Sequence, residues 1–387
     1  MSTHKVEIEV LSPLHISGAG RELGTMEFLR DRDRVYLINE DKLVQALERE
    51  GLTGEFLHYL SRDYRPNLFR FLQNLPRERA LAIREAACGR SIPHGIRSHF
   101  FGVRPQQWDP VTGSPVLPGS AVKGALRNLV LYLCCRKDKA LRERAARAVA
   151  AGGSRKTVGR FLDELLFAAA RIPGARQVPN RDWFRTFQVS DFHTVQASCT
   201  QVEEVKVVSL NREGGFHFSR DRRDKQNQRT ISIFVETISP GTVFTGTITC
   251  PPFLQGLFQA HQRREGIVFD PPALLSRLDE KADILLAEER AFFARAGLKG
   301  IEEDLDALAQ RGANFRLGWG TGLLSMTVNL ALSQEERLAV GQKYFKGTHH
   351  GIFPRSRKVV VEEGAEPVTT LGWARMKITG EEGKEEV

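Results

Sequence analysis

Cysteine is sparse: Cys88, Cys134, Cys135, Cys199 and Cys250 are the five in 387 residues. None forms C-x-x-C and none stands at a Cys/His spacing typical of zinc, so the five read as reduced packing residues. No apolar run approaches the roughly 18 residues of a membrane span, and Met1-Ser2-Thr3-His4-Lys5 lacks leader character. A cytoplasmic protein without a membrane partner is expected. Catalytic signatures are missing as well. There is no G-x-S-x-G, H-E-x-x-H or P-loop pattern. The scattered histidines define no dyad, so neither a cofactor nor a metal is expected.

What the chain does have is charge of one sign. The formal net charge is +9, with a pI near 9.4, which favours an anionic partner. It is uneven: from residue 362 onward seven Glu face Arg375, Lys377 and Lys384, a net −4, which leaves +13 on residues 1–361. The apolar and charged fractions, 41% and 27%, are those of a globular protein with ample core.

Lys5-Val6-Glu7-Ile8-Glu9-Val10 alternates polar and apolar and predicts a half-buried strand. It opens into the small-residue loop Ser12-Pro13-Leu14-His15-Ile16-Ser17-Gly18. Phe28–Arg30 and Arg34–Ile38 flank an Asp31-Arg32-Asp33 tip and read as a hairpin, followed by a helix from Asp41. Residues 53–88 are helical with breaks at Pro66 and Pro76, and 89–118 are loop-rich. Helices are expected over 139–151, 156–170, 271–297, 301–310 and 333–346; strands over 186–192, 204–210, 230–238, 243–249 and 372–378. Strand, Ser239-Pro240, then Gly246 loosely echoes Ser12-Pro13 and its following glycine, a weak sign of duplication.

Three stretches carry chemistry. In Val116–Arg127, Pro118-Gly119 is a turn, Ser120 a helix N-cap, and Lys123 and Arg127 lie four apart on one helix face. With the free N–H groups of a helix start this is either a phosphate cradle or an ordinary capped helix with solvated cations. Residues 211–229 mix six cations with Phe216, His217 and Phe218 and a glycine pair. They read as a mobile arm or extended hairpin suited to single-stranded nucleic acid, or as a polar loop. Finally, Arg316-Leu317-Gly318-Trp319-Gly320-Thr321-Gly322 can pass close beside a ligand backbone. It is neither a Walker A motif nor a Rossmann fingerprint, and no clear helix follows it.

Together, the first strand ending in Ser12–Gly18, the Leu117–Arg127 motif and the Phe315–Gly322 loop resemble the RAMP superfamily of CRISPR RNA-guided systems. The Phe234–Ile238 strand, Pro354–Arg357 and Leu371-Gly372-Trp373 also match, so the resemblance runs from Val6 to about Ile378. Length and motif order are most similar to the Csm-type subunit that caps type III-A complexes at the guide 3′ end. The resemblance implies an α+β fold of tandem ferredoxin-like (RRM-like) modules with helical insertions: 1–180, then 181–380 with the arm, then an acidic tail 381–387. It implies a non-catalytic subunit gripping the 3′ part of the crRNA and supporting guide maturation. The implied partners are crRNA and target RNA, the neighbouring backbone RAMP subunit, the small helical subunit, and host nucleases that trim the guide.

By position, Ser120, Lys123 and Arg127 would hold phosphates beside Gly318, Trp319, Gly320 and Gly322, with His15, Ser17, Gly18 and Arg21 lining the same cleft. Arg212, Arg220, Arg222, Arg223 and Arg229 of the arm, with Arg316, Arg355 and Arg357, complete the expected RNA contacts. The Arg30–Arg34 run, whose acids are bracketed by arginines, reads as a solvated turn and not as a target-cleaving loop. The alternative is a metal-independent endoribonuclease processing precursor crRNA, with His15 as general base beside Tyr36.

Overall fold

The fold was analysed in a computed structural model that describes residues 2–17, 20–151, 167, 172–196, 198–220, 229–261, 270–345, 352–362 and 365–382. The strands are β1 (Ser2–Val10), β2 (Phe28–Arg30), β3 (Arg34–Ile38), β4 (Cys88–Pro93), β5 (Trp108–Asp109), β6 (Ser114–Leu117), β7 (Gln188–Val189), β8 (Phe192–His193), β9 (Thr200–Leu210), β10 (Phe216–Phe218), β11 (Ser232–Ile238), β12 (Val243–Cys250), β13 (Phe315–Arg316), β14 (Ser356–Val361), β15 (Pro367–Thr370) and β16 (Trp373–Glu382). The helices are α1 (Glu40–Arg49), α2 (Thr53–Arg62), α3 (Leu68–Gln73), α4 (Arg77–Ala87), α5 (Gly119–Lys137), α6 (Lys139–Ala151), α7 (Val178–Arg181), α8 (Pro252–His261), α9 (Pro271–Leu275), α10 (Leu278–Ala296), α11 (Lys299–Gln310), α12 (Gly322–Met326) and α13 (Gln334–Tyr344).

The fold is α+β. One sheet runs β13-β16-β1-β12-β8-β6-β5, with β7 also on β12; a second runs β10-β9-β14-β15, with β11 also on β9; a third is β2-β3-β4. Central strand β1 shows how pattern becomes structure. Val6, Ile8 and Val10 are buried in the main core. On the opposite face Glu7 pairs with Lys377 at 2.7 Å and Glu9 with Arg375 at 2.5 Å, each directly across the β1–β16 register. The helical insertion forms its own small core, in which α1, α2, α3 and α4 bury Leu43, Leu47, Phe56, Leu68, Phe71 and Ile83. The breaks at Pro66 and Pro76 fall where the sequence places them.

Several expectations change. Residues 89–118 contain β4, β5 and β6, not only loop. A short helix, α12, does follow the glycine loop. Glu381 and Glu382 belong to β16, opposite His4 and Thr3, so the acidic tail does not begin there. Strands β11 and β12 flank the Ser239-Pro240-Gly241 turn but enter different sheets. The division near residue 180 is not a division between sheets, because β1, β5 and β6 share one sheet with β7, β8, β12, β13 and β16. A helix over 156–170 lies outside the described residues apart from Phe167.

The two larger sheets meet where chain segments cross from one to the other. Leu14 and Ile238 exchange backbone hydrogen bonds of 3.1 and 2.7 Å, so the two Ser-Pro segments that echo each other in sequence are paired in space. Beside this crossing the fully buried Glu236 carboxylate accepts both guanidinium nitrogens of Arg90, the Gln106 N–H at 2.9 Å and the Trp108 Nε1–H at 3.2 Å. That clamps β4 and the loop before β5 onto β11.

Half-buried Lys281 pairs with no carboxylate among the described residues. Lys281 on α10 donates to Asn128 Oδ1 on α5 at 2.5 Å and to the Ser325 carbonyl at 2.9 Å. Burial pushes its pKa down to about 7 from 10.5. Between those values the unfolded chain holds the proton and the folded chain does not, so stability rises with pH across this window. Urea denaturation of the wild type is expected to show a gain of about 1–3 kcal/mol from pH 7.5 to 9.5 that is absent in Lys281→Met.

Candidate nucleic-acid interface

The start of α5 differs from the phosphate cradle. The helix begins at Gly119, one residue before the expected cap, and Ser120 is exposed with no capping bond. The Gly119 N–H instead donates to Asp191 Oδ1 at 2.7 Å, so a side-chain carboxylate already sits at this helix N-terminus. Lys123 and Arg127 do share a face, but it faces residues 182–187. Lys123 Nζ donates to the Phe187 carbonyl at 2.6 Å, and burial lowers its pKa. Arg127 pairs with Asp182 at 2.8 Å and lies 3.7 Å from the Phe167 ring centroid. Among the described residues their contacts are internal and do not join them to the glycine loop.

That loop lies at the crossing of the sheets. Gly318 has φ 93° and a Cβ there would sit 2.5 Å from the His15 carbonyl oxygen; Gly372, φ 83°, would collide with the Leu317 carbonyl at 2.3 Å. Only glycine lets the strand ends approach this closely. The Trp319 N–H donates to His15 O at 2.7 Å, and the His15 ring meets the indole edge-on at 5.8 Å. His15 is therefore a core residue and not a cleft wall. It is fully buried, its Nδ1 is 2.7 Å from the Glu236 carbonyl oxygen, and burial lowers its pKa. The half-buried Trp319 indole has Lys358 at 4.9 Å and Arg104 at 5.2 Å from its centroid.

Two more expected RNA contacts are internal. Arg316 and Arg357 are buried, and both pair with Glu289 of α10, at 3.3 and 2.6 Å. The Arg316 Nε–H also donates to Leu371 O at 3.0 Å, and its guanidinium lies 4.7 Å from the Trp373 centroid. Arg357 lies over Phe292 at 4.3 Å. The Arg–Glu–Arg cluster thus joins β13, which leads into the glycine loop, to β14.

Between those elements lies a groove of about 540 Å³. It is lined by Gly320, Gly322, His217, Arg355 and Lys358 among others, and by no Asp or Glu among the described residues. Arg355 is half-buried and its Nε–H donates to Leu210 O at 2.8 Å. His217 sits on β10, which pairs with β9, so the base of the arm is a hairpin. Arg212, Arg220 and Arg229 are exposed near that base, with Arg220 bridging to Thr230. Ser17 is exposed, and Arg21 is engaged by Glu27 at 2.5 Å. Gly18, Arg222 and Arg223 lie outside the described residues. A larger groove of about 790 Å³ between the second and third sheets is lined by Asp33, Glu203, Glu204 and Glu362 and by Arg34, Arg97 and Lys206. Its charge is mixed, and burial, reinforced by Glu362, pushes Glu203 up to about 7.

A RAMP superfamily model matches residues 7–325, most of the chain. The chain belongs to the RAMP superfamily. Solved structures share the fold of this RAMP protein. A chain of a Csm–crRNA–target RNA ternary complex of a type III-A CRISPR–Cas system superposes with TM-score 0.67 at 22% identity, covering 97% of this chain and 100% of that one. The crystal structure of Csm5 of T. onnurineus superposes with TM-score 0.65 at 20% identity, covering 95% and 99%. None of the curated proteins compared matches the chain.

Sequence reasoning passed over Lys358 and Arg104 as site residues. The missing signal was the indole that brings them together. Because Glu289 is the one carboxylate shared by two buried guanidinium groups, Glu289→Ala is expected to cost about 3–5 kcal/mol in urea denaturation. Replacing the cluster with Leu and two Met is expected to recover much of that loss.

Proposed function

We propose that this RAMP protein is a non-catalytic crRNA-binding subunit of a type III-A, Csm-type ribonucleoprotein. In this reading it holds the 3′ part of the guide, docks on the neighbouring backbone subunit and supports guide maturation by separate nucleases. The observation that carries the reading is this groove, where glycine backbone, Arg355 and Lys358 converge with no carboxylate among the described residues, while Lys358 also lies 4.9 Å from the Trp319 ring centroid beside it. Cations beside a close backbone approach suit a phosphate chain, and the indole offers a face for a base. The likeness to a chain of a Csm–crRNA–target RNA complex agrees in fold. The burial of His15, with Nδ1 engaged, favours a binding role over the endoribonuclease alternative.

Arg355→Gln with Lys358→Gln is expected to weaken crRNA binding about tenfold and to lower its salt dependence by one to two ion equivalents. Lys123→Ala with Arg127→Ala is expected to lower the melting temperature while leaving the salt slope unchanged. Unaltered affinity and slope in the groove variant would remove the reading. Incubation with repeat RNA in EDTA is expected to give no discrete product; a discrete product would favour the enzyme. 4-Thiouridine in the guide 3′ segment, and not in its 5′ tag, is expected to crosslink to groove peptides.

A further inference from the structure

The helical insertion carries a second basic and aromatic surface that the groove does not use. Phe100 and Phe101 adjoin in the chain after β4. Phe100 is buried against Phe28, centroids 5.8 Å apart, and Phe234, 4.5 Å apart, with the Arg30 guanidinium 4.4 Å from its own centroid. With that ring anchored inward, Phe101 is left 72% exposed. Phe69 on α3 is 49% exposed, while Leu68, Phe71 and Leu72 of the same helix pack into the insertion core. The two exposed rings line one cavity of about 280 Å³, together with Arg30, Asp31, Asn67 and His99, and the Asp31 carboxylate is already taken up by the Tyr36 hydroxyl at 2.6 Å and by Arg84 at 3.5 Å.

The polar groups around this cavity point to its ligand. Asn67 Oδ1 caps α3 by accepting from the Arg70 N–H, which leaves its amide nitrogen without a protein partner among the described residues. Arg65 and Arg70, which bracket Phe69 in sequence, are exposed and pair with no carboxylate among the described residues. Exposed rings with free donors at the rim and cations beside them fit the flat faces, carbonyl edges and phosphates of unpaired nucleotides. A protein knob would be better served by a charge-poor centre.

We propose that this cavity binds one unpaired nucleobase of single-stranded RNA, stacked on Phe101 with Phe69 as the second wall. The inference rests on the chain being an RNA binder, but not on the groove being where it binds. The probe is an oligouridylate of about 12 nucleotides carrying 5-iodouridine, photocrosslinked to the full chain and mapped by mass spectrometry, with affinity read by fluorescence anisotropy. Crosslinks are expected in the peptides holding Phe69 or Phe101. Phe69→Ala with Phe101→Ala is expected to abolish them and to weaken binding about tenfold with the salt slope unchanged, because stacking releases no counterions. Phe69→Tyr with Phe101→Trp is expected to retain both. Crosslinks confined to other peptides, or wild-type affinity in the double Ala variant, would overturn the proposal, as they would if the surface takes a protein. A loss seen only in the Arg355/Lys358 variant leaves the groove standing without this cavity; a loss seen only in the Phe variant does the reverse.

Discussion

The shape of the interface depends on Glu289. Its carboxylate lies almost wholly out of water between Arg316 and Arg357. Three charges removed from solvent are costly, and the arrangement holds because both guanidinium groups share the one carboxylate. The return on that cost is geometric. Glu289 belongs to a long helix, Arg316 leads into the glycine loop and Arg357 lies on the basic strand, so one carboxylate sets the spacing of both groove walls. Arginines that look available for RNA in a linear reading are therefore part of the frame that presents other cations.

The same logic runs through the junction of the two sheets. Glu236 clamps β11 to β4 and to the loop before β5, and the main chain beside it engages His15. His15 in turn accepts the Trp319 N–H, which leaves the indole half-buried beside Lys358 and Arg104. Glu289 and Glu236 are thus held inside the frame, and the acids of the groove between the second and third sheets stand apart from the glycine loop. The groove by the glycine loop is left with cations, backbone and rings. Lys123, Arg127, Arg316 and Arg357 are bound internally, and the net positive charge left for an anionic partner falls elsewhere.

Local order was largely legible. The alternation in β1 predicts its buried face, and the proline breaks divide the insertion into helices at the expected places. The buried cysteines behave as packing residues; burial pushes Cys135 and Cys250 up to about 12, far from thiolate chemistry. The strands after Ala87 were missed because they are short and irregularly patterned, and are set by pairing to distant segments. Sheet membership crosses residue 180 for the same reason, since it is decided by which edges meet.

The sequence by itself determined the helices of the insertion, the edge-to-centre pattern of β1, the glycines that permit close crossing of strands, and the positive charge of the body. These follow from periodicity, backbone freedom and ionisation, which are local properties. The tertiary structure decided which cations face solvent, because only folding brings Glu289 between two arginines, Asp182 to Arg127, and the Phe187 carbonyl to Lys123. A charged side chain reads the same in sequence whether its counterion is a phosphate or a carboxylate a hundred residues away.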